Sequence, residues 1–384
     1  MKKDIVIVGA GVIGMSLALS LSQRDKKVLI LEKDIKKSHS INRIYSISNK
    51  SKNLFKEIEV WNELNSVNEI KNMVILYRSF EDKNNISFRS DLQKIGFIAQ
   101  SSDITSVLYK KVMADKNIEL IDKVNLKSII ERDENNYEIE SSESDIYSGD
   151  YIFSCEGTNS FIKDQISINN LIKDYDSKAF VFNIQTEKSN NNSAYQIFLE
   201  NGPIAFLPVS ENEFSMVISV RNKFNDSNIY CKENLTQYLN QITNGSFGKI
   251  DILGEVINFN LFGYNSDSYK HKNIVFVGDS AHSVHPLAGM GLNLGLSDII
   301  EIYKAFDLDI YKFGDHRFFD KYARKQKIIN SQARQQLELI ERFYSLENSL
   351  IKNLVGFGMS KINKNDFLKK NIANHANQNL SLFN

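Results

Sequence analysis

The first thirty residues alternate between apolar runs and short turns. Residues 4–8 (DIVIV) are mostly β-branched and apolar, which predicts a strand buried on both faces within a parallel sheet. Residues 12–23 (VIGMSLALSLSQ) have the length and apolar character of a helix packed on that strand, and residues 27–31 (KVLIL) predict a second strand. Strand, helix and strand in this order predict a βαβ unit with parallel strands.

Glycines in G-x-G-x-x-G spacing stand at the start of this helix. Gly9 permits a tight turn, Gly11 lets the backbone approach a pyrophosphate, and Gly14 lets the helix pack closely on the strand. The helix N-terminus also offers free N–H groups to phosphates. Glu32, followed by Lys33, ends the second strand, where a carboxylate can hold a ribose hydroxyl. We therefore predict that these five residues bind FAD or NAD rather than NADP, because a carboxylate repels a 2′-phosphate.

A second strand–loop–helix pattern lies at residues 273–299 (NIVFVGDSAHSVHPLAGMGLNLGLSDI). An apolar strand ends at Gly278 and Asp279, a loop with one proline and two glycines follows, and a helix begins near Leu292. An NAD dehydrogenase has no need of a second strand that ends in Gly-Asp this far along the chain. The pattern therefore favours FAD.

This second pattern resembles the second FAD motif of the single-component FAD-dependent aromatic hydroxylases. The resemblance implies that Asp279 hydrogen-bonds the ribityl chain and that Pro286 lies beside the flavin ring. It also implies that the backbone of residues 289–293 approaches the pyrimidine edge of the flavin, where the helix dipole stabilises negative charge. The cofactor-binding residues implied by this motif are Gly278, Asp279, Pro286, Gly289, Gly291, Leu292 and Asn293.

Residues 151–163 (YIFSCEGTNSFIK) resemble the middle motif of that family, which usually has Asp-Gly followed by Ser and Arg. Here Glu156 and Gly157 replace the Asp-Gly pair. Ser160 is kept, and Lys163 stands where the arginine is expected, although lysine cannot make bidentate contacts. The family ties this segment to both FAD and NAD(P)H. The resemblance thus implies Gly157 at the cofactor, and the two departures bear mainly on the nicotinamide.

Further stretches resemble the ubiquinone-biosynthesis hydroxylases within that class. NRIYSIS (42–48) resembles their arginine-bearing segment, and KIGFIAQSSDITSVLYKKV (94–112) resembles the segment that opens the next part of the FAD domain. These two stretches imply Arg43 and Gln100 at the cofactor. ENGPIAFLPVSENEFSMVISV (200–220) resembles their substrate-domain hairpin, although plain structural turns at its prolines are an alternative. With the flavin loop, it implies a substrate pocket lined by Pro203, Phe206, Pro208 and His285.

The resemblance also implies a reaction. NAD(P)H would reduce FAD, O₂ would form a flavin C4a-hydroperoxide, and one oxygen would enter an aromatic ring, that of a polyprenylphenol of ubiquinone biosynthesis. Because the cofactor carries this chemistry, the resemblance implies no dedicated catalytic acid–base residue. The spacing of the six histidines supports neither a triad nor a metal site, and we predict none. Three alternatives stay open. They are a hydroxylase of a small soluble aromatic, a flavin reductase without oxygen insertion, and a flavin-binding accessory protein of a biosynthetic complex. The resemblance also implies a ubiquinone-biosynthesis protein complex as a partner.

Composition excludes some partners. The chain has 47 Lys and Arg against 47 Asp and Glu, whereas a nucleic-acid binder normally shows a basic excess, so we predict no nucleic-acid partner. Cys155 and Cys231 have neither metal nor disulfide spacing, which fits a reducing compartment. No apolar run has the length that crosses a bilayer, and we expect a cytoplasmic protein, with peripheral membrane contact left open. Residues 350–370 mix apolar residues with lysines, which fits a membrane-contacting or an ordinary core-facing helix.

A chain of 384 residues exceeds one compact core, which predicts two or three packed units. We predict an α/β fold with a doubly wound, Rossmann-like FAD domain formed by residues 1–70, 100–175 and 265–320. An inserted α+β substrate domain would take residues 71–99 and 176–264, where the pattern turns to alternating strands. Residues 321–384 are predicted to form a C-terminal helical region.

Overall fold

The computed structural model describes residues 2–40, 43–77, 85–89, 95–224, 231–284, 289–307, 310–345, 361–363, 365 and 369. Its strands are β1 (Lys2–Val8), β2 (Val28–Leu31), β3 (Ile44–Ile47), β4 (Val67–Ile70), β5 (Asn72–Tyr77), β6 (Asn85–Arg89), β7 (Gly96–Gln100), β8 (Ile118–Ile121), β9 (Leu126–Asp133), β10 (Asn136–Ser141), β11 (Ile146–Ser154), β12 (Asn170–Thr186), β13 (Ser193–Leu199), β14 (Gly202–Ser210), β15 (Glu213–Arg221), β16 (Ile250–Ser266), β17 (Lys270–His271), β18 (Ile274–Phe276) and β19 (His282–Ser283). Its helices are α1 (Val12–Ser22), α2 (Ile35–Ser40), α3 (Asn49–Glu57), α4 (Ser101–Ala114), α5 (Phe161–Gln165), α6 (Lys232–Thr243), α7 (Met290–Ala305) and α8 (Asp320–Ser345).

The first sheet has the strand order β17-β18-β11-β1-β2-β8, and β9 and β10 extend it beside β11. Strands β18, β11, β1, β2 and β8 run parallel, because long crossovers connect them. The register aligns Val8 with Leu31 and with Ser154, so these strands end at one edge of the sheet. We call this edge the cofactor edge, because ligands of doubly wound sheets bind outside the carboxyl ends of the strands.

Helix α1 is buried along nearly its whole length and packs against α4 and α7. Its sequence is apolar on almost every side, which suits a helix enclosed between a sheet and other helices. The strand residues beneath it, Ile5, Val6 and Ile7, have no exposed surface. The N-terminal glycine turn is therefore mounted on the most deeply buried part of the first core.

The second sheet has the order β19-β16-β12-β15-β14-β13-β5-β6 and is antiparallel except where β13 pairs with β5. Helix α6 covers one face, on which Leu235 and Leu239 join the aromatic side chains of Phe180, Phe206 and Phe214 in one cluster. Because side chains alternate between faces along a strand, the neighbouring residues face the other way. We call the face opposite α6 the inner face.

A three-stranded sheet with the order β3-β7-β4 connects the two larger sheets. Ile47 and Phe97 belong to the core of the first sheet. Ile70 and Ile98 pack instead with Ala194, and Leu207 is packed against that cluster. The small sheet therefore contacts the inner face of the second sheet.

The predicted α/β fold with a doubly wound parallel sheet agrees with this architecture. The division into domains, with the boundaries given above, stays a prediction. Within the described residues, no helix is both long enough and apolar enough to cross a membrane. Most of the 350–370 segment lies outside the described residues.

Candidate functional site

The glycine turn after β1 separates glycines that the fold needs from one that faces open space. A methyl group at Gly14 would lie 1.9 Å from the carbonyl oxygen of Gly9, and one at Gly9 would lie 2.5 Å from that of Cys155. Gly9 also has a φ of 106°, which disfavours any side chain. A methyl group at Gly11 would meet nothing within 4 Å. Gly11 therefore leaves its backbone accessible, as pyrophosphate binding requires.

Glu32 ties the ends of β1 and β2 together. Its carboxylate accepts hydrogen bonds from the backbone N–H of Ala10 at 2.6 Å, of Lys33 at 2.9 Å and of Asp34 at 3.0 Å. The Lys33 side chain is exposed, so the contribution of Lys33 seen here is this backbone N–H. Glu32 thus shapes the cofactor edge, and its predicted contact with a ribose stays a prediction.

The Glu156 carboxylate is enclosed by donors from its own segment. It accepts hydrogen bonds from the hydroxyls of Ser154 at 2.9 Å and Ser160 at 2.6 Å. It also accepts from the backbone N–H groups of Phe161 at 3.0 Å and Ile162 at 3.3 Å, at the start of α5. Burial raises the pKa of Glu156, and these hydrogen bonds only partly oppose the shift. The longer acid thus serves the local structure.

Asp279 lies in a short 3-10 turn, Gly278–Ser280, directly after β18. Its side chain is exposed to solvent, yet surrounding protein desolvates the carboxyl and raises its pKa. The Asp279 carboxyl is thus accessible although protein surrounds it. The positive charges of His282 and Arg43 oppose the pKa shift, so Arg43 and Asp279 lie close enough to interact although 236 positions separate them.

Arg43 is placed by backbone contacts at the edge of the three-stranded sheet. Its N–H donates to the hydroxyl of Ser101 at 2.7 Å, and its carbonyl accepts from the Ser101 N–H at 2.7 Å. Gln100, which precedes Ser101, pairs with Ile44, which follows Arg43. The two residues predicted at the cofactor from separate motifs are therefore neighbours in the fold.

The start of α7 is locked to the β3–α3 connection. Gly289 has a φ of 61°, and a methyl group there would lie 2.8 Å from the Ser46 side chain. The Asn293 amide donates to the Ser46 carbonyl at 2.8 Å, and its oxygen accepts from the Ser48 N–H at 2.9 Å and the Ser51 hydroxyl at 2.8 Å. Gly291 and Leu292 differ from Gly289 and Asn293 in their surroundings. A methyl group at Gly291 would meet nothing within 4 Å, and half-buried Leu292 packs on the first core.

The predicted substrate residues on β14 do not share one face, which corrects the expectation of a common pocket. Phe206 has no exposed surface and packs among aromatic rings under α6, and buried Pro208 lies on the same face. Pro203 is half-buried and lies on the inner face. The alternation of side chains along a strand separates odd from even positions here. His285 and the predicted flavin neighbour Pro286 lie outside the described residues.

A buried pair, Asp298 and His282, supports the Gly278–Ser280 turn, a role that the sequence did not indicate. Asp298 of α7 accepts hydrogen bonds from the Gly278 N–H at 2.8 Å, from His282 Nε2 at 2.7 Å and from Gln326 at 2.7 Å. The His282 ring stacks on Tyr269 with centroids 5.8 Å apart. Burial lowers the pKa of His282, but the Asp298 carboxylate outweighs it and the net pKa is raised. Both residues lie in the 273–299 motif, but only their contact in the fold identifies their supporting role.

Comparison with known proteins decides the family. The family described as FAD binding domain matches residues 2–336. The chain belongs to this FAD-binding-domain family. The Drosophila melanogaster protein named ubiquinone biosynthesis monooxygenase COQ6, mitochondrial, is 28% identical over 376 residues, which cover 84% of this chain and 78% of that protein. The Escherichia coli K12 protein named 3-demethoxyubiquinol 3-hydroxylase is 24% identical over 309 residues, 77% of each chain.

A solved structure supports the fold of this FAD-binding-domain protein. The p-nitrophenol 4-monooxygenase PnpA of Pseudomonas putida DLL-E4 superposes with a TM-score of 0.81 at 11% identity and covers 98% of both chains. The predicted fold class is therefore confirmed. The family match confirms the prediction of FAD as cofactor, and the relatives confirm the resemblance to ubiquinone-biosynthesis hydroxylases.

The residues at the cofactor edge fit an FAD molecule. Backbone from three separate segments faces open space at Gly11, Gly157 and Gly291, where a methyl group would meet nothing within 4 Å. Gly157 follows β11 with a φ of 79°, and Gly291 lies in the first turn of α7. The exposed side chain of Asp279 lies on a fourth segment. An extended dinucleotide needs such close backbone approach at several points, whereas the contact made by each residue stays a prediction.

Proposed function

We propose that this chain is an FAD-dependent monooxygenase that hydroxylates an aromatic ring, with NAD(P)H as reductant and O₂ as co-substrate. The proposed substrate is a polyprenylphenol of ubiquinone biosynthesis. Family membership and the names of relatives from an insect and a bacterium support the reaction class. The arrangement of the inner face supports the substrate class.

A row of residues crosses the inner face from strand to strand. The register aligns Ile75 with Gln196, Gln196 with Ala205, Ala205 with Val217, and Val217 through Val181 with Ile257. All members except Gln196 are apolar. We call these six residues the inner row, which consists of Ile75, Gln196, Ala205, Val217, Val181 and Ile257.

The two ends of the inner row differ in their surroundings. At one end, Leu207 on one side contacts the three-stranded sheet, and Phe198 on the other side packs with Leu294 of α7. Those contacts enclose the row beside the segments that carry Arg43 and Gly289. At the other end, Ile257 is 62% exposed and Phe259 beside it is 48% exposed. The inner row is therefore an apolar route from the cofactor side of the molecule to its edge.

This apolar route is the reason for proposing a substrate with a polyprenyl tail. A polyprenyl tail is long and apolar, and burying it against apolar side chains is favourable by about 25 cal/mol per Å². A small soluble aromatic has no part that needs such a route. Because a substrate of this kind resides in a bilayer, we also propose that the protein contacts the membrane surface during turnover.

The bound FAD would supply the redox chemistry, accepting a hydride from NAD(P)H and activating O₂ for insertion into the ring. The protein contributes binding and orientation. The backbone at Gly11, Gly157 and Gly291, with the Asp279 carboxylate, would hold the cofactor. The apolar inner row would hold the substrate and exclude water from its path.

The test is a substrate comparison on the purified flavoprotein. The protein is incubated with NADH or NADPH under O₂, with a long-chain prenylated phenol or the same phenol without its tail, and product mass is measured. We expect a product heavier by one oxygen, formed faster from the prenylated phenol. Equal rates on both phenols would favour a small-aromatic hydroxylase. NAD(P)H oxidation without oxygen insertion would favour a reductase, and no NAD(P)H oxidation with either phenol would favour an accessory protein.

A further inference from the structure

Lys163 is a lysine with only 1% of its surface exposed. It lies in α5, where the middle motif of the family has an arginine. Burying an ammonium group costs several kcal/mol unless other groups compensate the charge. Burial lowers the pKa of Lys163, and the negative charges of Asp164 and Glu156 partly oppose the shift. The contacts of this buried charge therefore indicate what Lys163 does in the fold.

The Lys163 ammonium group contacts the turn that carries Asp279. Its Nζ donates a hydrogen bond to the carbonyl oxygen of Ser280 at 3.0 Å. The same Nζ lies 4.6 Å from the centroid of the Tyr264 ring, in cation–π geometry. The Tyr264 hydroxyl in turn donates to the carbonyl oxygen of Asp279. Lys163 and Tyr264 therefore hold two consecutive carbonyl groups of one turn.

Two further hydrogen bonds hold the rest of this turn. The Gly278 N–H donates to Asp298 at 2.8 Å, and the Ser280 hydroxyl is hydrogen-bonded to the Ser154 hydroxyl at 2.5 Å. Gly278, Asp279 and Ser280 are thus each anchored to other parts of the chain. The Asp279 side chain meanwhile stays exposed. The contacts fix the backbone from which this carboxylate projects.

We propose that Lys163 is a positioning residue of the cofactor site, whose buried ammonium group fixes the turn that presents Asp279 to FAD. Because its side chain is enclosed, Lys163 makes no contact with NAD(P)H. The proposal goes beyond the proposed function. It depends on FAD binding and on the predicted role of Asp279, and it does not depend on which substrate is hydroxylated.

The first experiment separates FAD affinity from NAD(P)H affinity. Lys163→Met keeps most of the side-chain volume and removes the charge. FAD is titrated into protein freed of flavin and followed by flavin fluorescence, and the KM for NAD(P)H is measured at saturating FAD. A hydrogen bond from a charged group contributes about 1.5–3 kcal/mol, so we expect the Kd of FAD to rise roughly ten- to hundredfold. The KM for NAD(P)H should change less than about twofold.

Matched variants tell a local role from a general loss of structure. Lys116→Met removes an exposed lysine at the opposite edge of the first sheet, beside the start of β8, and should leave the Kd of FAD unchanged. Lys163→Arg keeps the cation and should restore much of the affinity. Tyr264→Phe removes only the hydroxyl that holds the Asp279 carbonyl and should weaken FAD binding in the same direction. Tyr264→Phe also carries the test if Lys163→Met does not fold.

A double-mutant cycle with Asp279→Asn decides whether Lys163 acts through Asp279. If it does, Lys163→Met should weaken FAD binding much less in the Asp279→Asn background than in the wild type. Full additivity of the two effects would overturn the proposal. So would unchanged FAD affinity in Asp279→Asn alone, or a raised KM for NAD(P)H with unchanged FAD affinity in Lys163→Met. Hydroxylation assays play no part in these outcomes, so a failure of the proposed function is recognised separately.

Discussion

The cofactor edge and the inner face offer different parts of the chain to a ligand. At the cofactor edge, backbone faces open space where Gly11, Gly157 and Gly291 lack a side chain. On the inner face, side chains such as Ala205 and Val217 point away from the core under α6, while their neighbours along the strands point into it. One added methyl group can therefore disrupt the cofactor edge. On the inner face the effect of a change depends on which side of the strand it lies.

Gly14→Ala should give the largest effect and break the cofactor edge. The added methyl group would lie 1.9 Å from the Gly9 carbonyl oxygen, so helix or strand must shift. We expect the apo-protein to lose about 3 kcal/mol or more of unfolding free energy, measured in urea by circular dichroism. Gly11→Ala is the matched control. It should keep its stability within about 0.5 kcal/mol and lose FAD affinity, and equal destabilisation of the two variants would contradict the distinction.

Asp298→Asn tests the support beneath the cofactor edge. The two oxygens of the carboxylate accept hydrogen bonds from Gly278, His282 and Gln326. The amide of asparagine has only one accepting oxygen, so these donors cannot all be satisfied. We expect a loss of about 2–3 kcal/mol in urea unfolding, together with weaker FAD binding. Asp251→Asn, a change of the same kind at an exposed position, is the control. A stable Asp298→Asn variant with normal FAD affinity would mean that the network is dispensable.

Val217→Trp sharpens the comparison on the inner face. The larger side chain would obstruct the inner row midway between its enclosed and exposed ends. We expect kcat/KM for a long-chain prenylated phenol to fall about tenfold, near 1.4 kcal/mol, and that for the phenol without a tail to change less than about twofold. Asn258→Trp, on the other side of β16, should affect neither. Equal losses on both phenols would argue against the inner row as the tail route.

The smallest expected effect is a pH dependence that comes from His282. Its folded-state pKa is raised above the ordinary value of 6.5, so the native state binds more protons than the unfolded state between these two pKa values. Its contribution to stability is complete below pH 6.5 and is lost as pH rises through the folded pKa, with a slope below about 1.4 kcal/mol per pH unit. Urea unfolding from pH 6 to 9 should show this decline, and Asp298→Asn should abolish it. A flat wild-type profile would place a neutral His282 in the folded protein.

The sequence could predict the cofactor edge because its determinants are local. Gly9, Gly11 and Gly14 lie within six residues of one another, and the geometry that each glycine permits follows from the missing side chain. The packing of the substrate side could not be predicted in the same way. Phe206 was assigned to the substrate pocket, but its side chain lies on the opposite face of the sheet, under α6. The strand pattern predicts that side chains alternate between faces, but it does not predict on which face α6 packs.

Contacts between distant segments were equally hidden from the sequence. Asn293 was predicted at the cofactor from its motif. The sequence did not predict that its amide would hydrogen-bond Ser46, Ser48 and Ser51, some 245 positions earlier. Lys163 was noted as a departure from a motif, and its contact with Ser280 follows only from the pairing of β11 with β18. Such contacts depend on the tertiary arrangement of whole strands, which no short spacing encodes.

The strand order of the first sheet has a consequence for synthesis on the ribosome. β1 is the first strand to emerge, yet its neighbour β11 begins at Ile146, and β18 begins only at Ile274. At roughly 5–20 residues per second, the last strand follows the first by tens of seconds. Throughout that interval one edge of an apolar strand lacks its native neighbour and depends on chaperones or on local burial. FAD can therefore be captured only late in translation or after release, when every segment of the cofactor edge has been made.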